Sequence, residues 1–237
     1  MRADETGSTV AKNWERLQER IAAAMRRAGR ADSVTVVAVS KTVEPGRIAE
    51  AYRCGLRHFG ESRVQEFEEK RGQLTLPVAV FHLVGTLQRN KARRAVELFD
   101  RVDTVDNLPL AEKLARAAAE RGRELPVLLE VRLGDEATKH GLPPEQVAEL
   151  ARQVARLEPL RLRGLLGMPP YFEDASRTRP FFRQLRELAE ELACLPGVSM
   201  SELSMGMSHD FEVAVEEGAT EVRLGTALFE KRQGAAQ

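Results

Sequence analysis

The sequence predicts an α/β fold, a single (β/α)8 TIM barrel with an additional N-terminal helix. Three observations carry that prediction. Short β-branched or apolar runs alternate with longer amphipathic ones along nearly all of the 237 residues. Eight strand segments can be placed, each set apart from the next by a helical one. No Pro/Gly-rich linker or change of composition divides the chain. A flavodoxin-like open sheet is the alternative, but eight such units in one chain of this length read more naturally as a closed barrel. Residues 1–237 are therefore assigned to one domain, with a helix within residues 1–30 and a disordered tail expected over residues 231–237.

The elements follow in order. An amphipathic helix is expected over residues 10–28. Residues 34–39 form a buried β-branched strand. Pro45 opens the next helix and Gly55 lies just past its end. A short strand over 57–59 leads to a helix over 64–70. A third strand over 78–84 precedes a basic helix over 90–98. The remaining pairs are strand 101–105 with helix 108–121, strand 126–133 with helix 144–157, and strand 160–166 with helix 178–193. Strand 202–204 with helix 211–217 comes next, and the last strand spans 221–224.

Composition narrows the function classes. Lys plus Arg and Asp plus Glu each number 36, so the formal net charge is +0. That balance removes the main electrostatic reason to expect nucleic acid or an anionic membrane as a partner. No apolar run approaches the roughly 20 residues that span a bilayer, and the acidic first five residues do not resemble a signal peptide. Cys54 and Cys194 are too far apart for metal-ligand spacing and are expected to be free, buried or half-buried thiols. His58, His140 and His209 likewise show no zinc-ligand spacing. A cytoplasmic protein without a metal is expected.

In such a barrel the active site is built at strand C-termini and in the loops that follow them. Lys41 comes directly after the first apolar strand, where its stem should be desolvated and its amine free to attack a carbonyl; otherwise its charge merely snorkels from the rim. The loops after the seventh and eighth strands supply Ser204, Gly206, Ser208, Gly225 and Thr226, small hydroxyls and glycines suited to a phosphate. A phosphate anchored opposite a strand-end lysine suits a phosphorylated aldehyde cofactor. If Arg223 faces a pyridine nitrogen, that nitrogen stays unprotonated and the ring is a weak electron sink. The alternative for Arg223 is an ion pair inside the barrel, with Glu130 or Glu61. Met205 and Met207 either lie against a flat ring or fill the rim. His82 reads as a hydrogen-bonded core residue, residues 168–171 as a mobile loop over the mouth in which Tyr171 packs, and residues 89–94 as a solvated basic helix face.

Several stretches together resemble a known family. They are Ala38-Val39-Ser40-Lys41-Thr42, Phe59-Gly60-Glu61, Val64-Gln65-Glu66, and His82 with Gly85, Leu87-Gln88 and Asn90-Lys91. Lys139-His140-Gly141 follows, then Leu203-Ser204-Met205-Gly206-Met207-Ser208 with Asp210-Phe211-Glu212, and finally Gly218-Ala219-Thr220 with residues 222–229. In this the chain resembles the YggS-like pyridoxal phosphate homeostasis proteins, which share the barrel of fold-type III enzymes such as alanine racemase. The resemblance implies pyridoxal 5'-phosphate (PLP) as cofactor, held as a Schiff base on Lys41, with Arg223 facing the pyridine nitrogen. Ser208, Gly225 and Thr226, together with Ser204, would hold the phosphate, and Ser62 and Met205 would border the cofactor. Ser62 departs from the family's usual asparagine, and Glu130 and Arg132 stand where neutral amides are more common.

The resemblance further implies a carrier or regulator of vitamin B6 and amino-acid pools with no catalytic residue assigned. Its partners would be PLP and PLP-dependent apo-enzymes, and it would be a monomer or weak homodimer. A PLP-dependent amino-acid racemase is the alternative, needing an opposing base for which Tyr171 and His82 are the local candidates. A class I aldolase-like barrel would also use a strand lysine and a phosphate, although aldolases usually carry that lysine on a later strand.

Overall fold

Eight parallel strands pair in sequence order, and the eighth closes back on the first. They are β1 (Thr35–Val39), β2 (His58–Glu61), β3 (Val80–Leu83), β4 (Arg101–Val105), β5 (Leu125–Arg132), β6 (Leu160–Met168), β7 (Glu202–Met207) and β8 (Glu221–Leu224). The computed structural model describes residues 9–134 and 141–229; the expected tail at 231–237 lies outside them. At the closure, Val36 pairs with Val222 and Ala38 with Leu224. Every other strand is therefore flanked by its sequence neighbours, as right-handed βα units require.

The intervening helices are α2 (Pro45–Arg53), α3 (Val64–Arg71), α4 (Ala92–Leu98), α5 (Leu108–Glu120), α6 (Pro144–Val154), α7 (Arg179–Ala193) and α8 (Phe211–Glu216). Their starts are written locally. Proline occupies the first turn of α2, α5, α6 and α7, where a missing N–H costs nothing. The Asn107 side chain caps α5 by accepting from the Leu110 N–H. Buried residues recur at helical spacing, as in Phe182, Leu185, Ala189 and Leu192 of α7. These faces and the outward side of the strands share one apolar core. The N-terminal helix α1 (Thr9–Arg27) packs on α2, α8 and the short terminal helix α9 (Thr226–Phe229). Asn13 of α1 donates a 3.1 Å hydrogen bond to the Leu228 carbonyl. No helix among the described residues is long and apolar enough to cross a membrane.

Most element ends shift by one to three residues, and three of the differences carry a visible cause or consequence. The third strand begins at Val80 because Val78 sits at φ +60°, a conformation foreign to strands, with its side chain 79% exposed. The seventh strand continues past Ser204 to Met207, which draws Ser204 and Met205 out of the loop and into the wall. The basic segment begins as a 3₁₀ turn, Arg89–Lys91, before α4. Cys54 is half-buried as expected, but Cys194 is exposed; both are free.

Barrel interiors are usually filled by branched apolar layers; the lower half of this one is ionic. Arg101 of β4 reaches across to Glu202 of β7 (2.6 Å) and approaches Glu221 of β8 (3.5 Å), while also binding Asp103 (2.6 Å). His82 Nδ1 lies 2.9 Å from Asp103, and its Nε2 lies 2.9 Å from His58 Nδ1. His82, Asp103 and Glu221 cluster tightly enough to suggest metal ligands, but the Arg101 guanidinium already supplies the cation there. His82 is thus the hydrogen-bonded core residue that its strand position implied.

Burial, reinforced by His82 and Arg101, lowers the His58 pKa from 6.5 to about 4. The unfolded chain therefore takes up a proton between pH 6.5 and 4 that the folded chain refuses, so this contribution to stability is present above pH 6.5 and is lost as the pH falls through that window. Solvent reaches part of the ring, so the loss should be about 1–2 kcal/mol. Urea unfolding at pH 7 and pH 4.5 should show that loss in the wild type and a smaller one in His58→Gln.

Candidate functional site

Lys41 leaves the top of β1 in a turn that is fixed on both sides. The Ser40 hydroxyl donates to Glu61 Oε1 (2.7 Å), and its carbonyl accepts from Lys70 Nζ (2.9 Å). Lys70 also pairs with Glu61 at 2.9 Å, and both side chains are buried. On the far side, the Thr42 N–H donates to Glu66 Oε1 (2.7 Å). Thr42 adopts φ +61°, a strained choice for a β-branched residue. The neighbours of Lys41 are therefore held by β2 and α3 while Lys41 itself is exposed. This corrects the expectation of a desolvated lysine: the amine stands at the open mouth, and what is buried is the clamp beneath it. Burial raises the Glu61 carboxyl above its ordinary range, opposed by its bonds to Ser40 and Lys70.

The neighbouring rim is built for an anion. Ser208 Oγ accepts from the backbone N–H groups of Gly225 (3.3 Å) and Ala227 (3.2 Å). These donors start α9, where Thr226 is exposed. Asp210 accepts from the Met207 N–H at 2.7 Å and closes the turn that presents Ser208. Gly206 at φ +91° has no room for a side chain, since a Cβ would fall 2.5 Å from Ala214 and 2.9 Å from the Phe211 Cα. Ser208, Gly225 and Thr226 therefore form one cradle. Because Ala38 pairs with Leu224, that cradle lies beside the Lys41 turn.

The other expected site residues divide. Arg223 is buried directly below the cradle, where Nη1 donates to the Ser204 carbonyl and hydroxyl (both 2.8 Å) and Nη2 to the Gly167 carbonyl (3.1 Å). It bonds neither Glu130 nor Glu61, the partners weighed from sequence. Burial lowers its pKa, opposed by Glu221, Asp103, Glu130 and Asp210; arginine starts so high that the charge persists. Ser204 does not join the phosphate cradle, because its hydroxyl is fully buried between Arg223 and Glu221. Met205 points into the apolar core instead of the mouth, and Met207 borders the opening in its place. Ser62 is half-buried at the end of β2, and its backbone abuts Gly85 so closely that a Cβ there would meet the Ser62 carbonyl at 2.3 Å. Lys139 and His140, from the stretch that carries the resemblance, lie outside the described residues.

A cavity of about 460 Å³ opens at the mouth, lined by residues of β5, the loops after β3 and β6, and the end of β7. Glu130 and Arg132 give it charge, while Leu133, Met168 and Met207 make it largely apolar. Tyr171 also lines it, 78% exposed, with its ring 5.3 Å from that of His209. His82 is buried lower in the barrel and bonded to Asp103 and His58. Glu61, a candidate partner for Arg223 by sequence, pairs instead with Ser40 and Lys70; an acid at the end of β2 with a base nine residues on is the signal for that pair.

Residues 13–233 match the sequence model of the alanine racemase N-terminal domain. A pyridoxal phosphate homeostasis protein of Aquifex aeolicus is 43% identical over 219 residues, covering 92% of this chain and 96% of that protein. One of the same name from Pseudomonas aeruginosa is 40% identical over 231 residues, covering 97% and 98%. Among solved structures, PipY of Synechococcus elongatus with PLP bound is 41% identical, with a TM-score of 0.82 over 93% of this chain and 99% of PipY. A histidine racemase of Leuconostoc mesenteroides, 18% identical with a TM-score of 0.70, shares the fold over 93% of this chain and 57% of its own.

The clamp makes a stability prediction. Lys70→Met removes the cation from the buried Glu61 carboxylate, whose Oε2 already lacks a hydrogen-bond partner, and should cost about 3 kcal/mol. The double variant Glu61→Gln, Lys70→Met should recover a large part of that loss in urea unfolding.

Proposed function

Since this chain belongs to the alanine racemase N-terminal domain family, and within it to the pyridoxal phosphate homeostasis proteins, we propose that it is a cytoplasmic carrier of PLP tethered through Lys41. The observation that carries this reading is the juxtaposition of the Lys41 turn with the Ser208–Gly225–Ala227 cradle across the β1–β8 seam. When bound, the cofactor supplies an aldehyde that a lysine amine can hold as an imine. The residues present fit that group. On phosphate binding the Gly225 and Ala227 N–H groups, which Ser208 Oγ accepts here, would be shared with the anion, and the Ser208 hydroxyl would donate to it with the Thr226 hydroxyl beside them. Arg223 is a fixed cation, held by two carbonyls and a hydroxyl, which the resemblance would set against the ring nitrogen. A cation there opposes protonation of that nitrogen and damps carbanion chemistry.

Carriage without turnover is supported by what surrounds the amine. Lys41 is exposed, so its linkage stands open to water and to competing amines, which favours release to a recipient apo-enzyme over protected chemistry. The racemase alternative would require an acid/base on the opposite face of the ring. His82 is committed to Asp103 and His58, so of the two candidates Tyr171 is the one at the cavity among the described residues. The two free thiols suit a reducing compartment.

Protein reconstituted with PLP should show a visible absorbance band that Lys41→Ala abolishes; no band in the wild type would overturn the reading. Ser208→Ala should weaken PLP binding by about tenfold, the value of one hydrogen bond to a charged group. Incubation with amino acids in deuterium oxide should give no exchange at Cα. Exchange that Tyr171→Phe removes would establish the racemase instead.

A further inference from the structure

Arg223 does not end the polar chain that rises through the barrel. Its Nη1 binds Ser204 Oγ, and that hydroxyl donates onward to Glu221 Oε1 at 2.6 Å. Glu221 and Arg223 are two residues apart on β8, so both point into the lumen. The other Glu221 oxygen lies 3.5 Å from Arg101 Nη1 and 4.0 Å from His82 Nδ1. Ser204, Glu221 and Arg223 are all buried, so water cannot substitute for these contacts or screen them. The reading of Ser204 as a phosphate ligand misplaces it. Its hydroxyl is the joint between a buried cation below the cofactor site and a buried carboxylate beneath that.

We propose that Glu221, acting through Ser204, is a positioning residue for Arg223. It aims the guanidinium at the cofactor ring and supplies the counter-charge that offsets its field. The proposal rests on the PLP reading of the site above. The charged groups around Arg223 are Glu221 on its own strand, Asp103 of β4, Glu130 of β5 and Asp210 after β7. Those around Glu221 are Arg101 of β4 and His82 of β3, and Arg101 is shared with Asp103 and Glu202. Glu221 is linked to Arg223 by a relay of two hydrogen bonds through the Ser204 hydroxyl. Loss of its negative charge makes the field under the ring more positive. That field disfavours the proton on the lysine–cofactor linkage, so the pH at which the linkage loses its proton falls.

The experiment is a pH titration of the visible band in PLP-loaded protein, with the PLP dissociation rate measured alongside. Glu221→Gln keeps the shape and a hydrogen-bonding group but removes the charge; its midpoint should fall by about half a pH unit or more. Ser204→Ala breaks the joint and should speed PLP release several-fold, and the double variant should release PLP no faster than the quicker single one. Glu202→Gln is the control, because Glu202 also binds Arg101 but has no link to Ser204. It should lower thermal stability while leaving the midpoint in place. A Glu221→Gln midpoint equal to wild type, or equal to a shifted Glu202→Gln midpoint, overturns the proposal. If Glu221→Gln does not fold, wild-type release kinetics in Ser204→Ala overturn it. A wild type with no visible band defeats the cofactor reading itself, and this proposal falls with it.

Discussion

Ala38 of the first strand lies opposite Leu224 of the last, and that pairing brings the two ends of the fold to one point on the rim. Lys41 leaves β1 three residues beyond the pair, and the Gly225 N–H begins the cradle one residue beyond it. A slip of one residue in either strand would turn its inward side chains outward and pull the amine away from the anion donors. The seam is braced from outside by α1, whose Asn13 holds the carbonyl of Leu228 in α9. The extra N-terminal helix is therefore part of the site's scaffold, although it contributes no group to the mouth.

The lumen below the seam is polar where apolar layers would stabilise it more simply. Arg101, Asp103, His82, His58 and Glu221 occupy its lower half. Taking such charges out of water is costly and is offset only by dense mutual pairing. What the arrangement provides is a cation, Arg223, held at a fixed height by carbonyls that cannot move independently of the barrel wall. The Glu61–Lys70 pair does the same for Lys41. In both cases the group facing the mouth is kept in place by a buried ion or hydrogen-bond partner one layer below.

The barrel was legible in the sequence because its signals are local: β-branched runs for strands, proline at helix starts, glycine past helix ends. Strand ends alone place Lys41 after β1, Ser208 after β7 and Gly225 and Thr226 after β8, on strands that neighbour one another in the closed barrel. The misplacement of Ser204 and that of Met205 share one cause. The seventh strand extends three residues beyond its polar-looking Ser204, and since strand residues alternate between faces, the extension sends Ser204 into the lumen and Met205 into the helix-facing core. A serine among methionines and glycines gives no local sign of that. Burial of Lys41 was inferred from the apolar strand before it, but the turn at Thr42 carries the lysine clear of the wall. The clamp from Glu61, Glu66 and Lys70 is a contact between elements, invisible to periodicity.

A covalent tether at Lys41 is the centre of this account. Borohydride reduction of the PLP-loaded protein, followed by proteolysis and mass spectrometry, reads the attachment point directly. The account predicts one pyridoxyl-modified peptide, the one containing Lys41. A stoichiometric label on any other lysine, with Lys41 left unmodified, would contradict it.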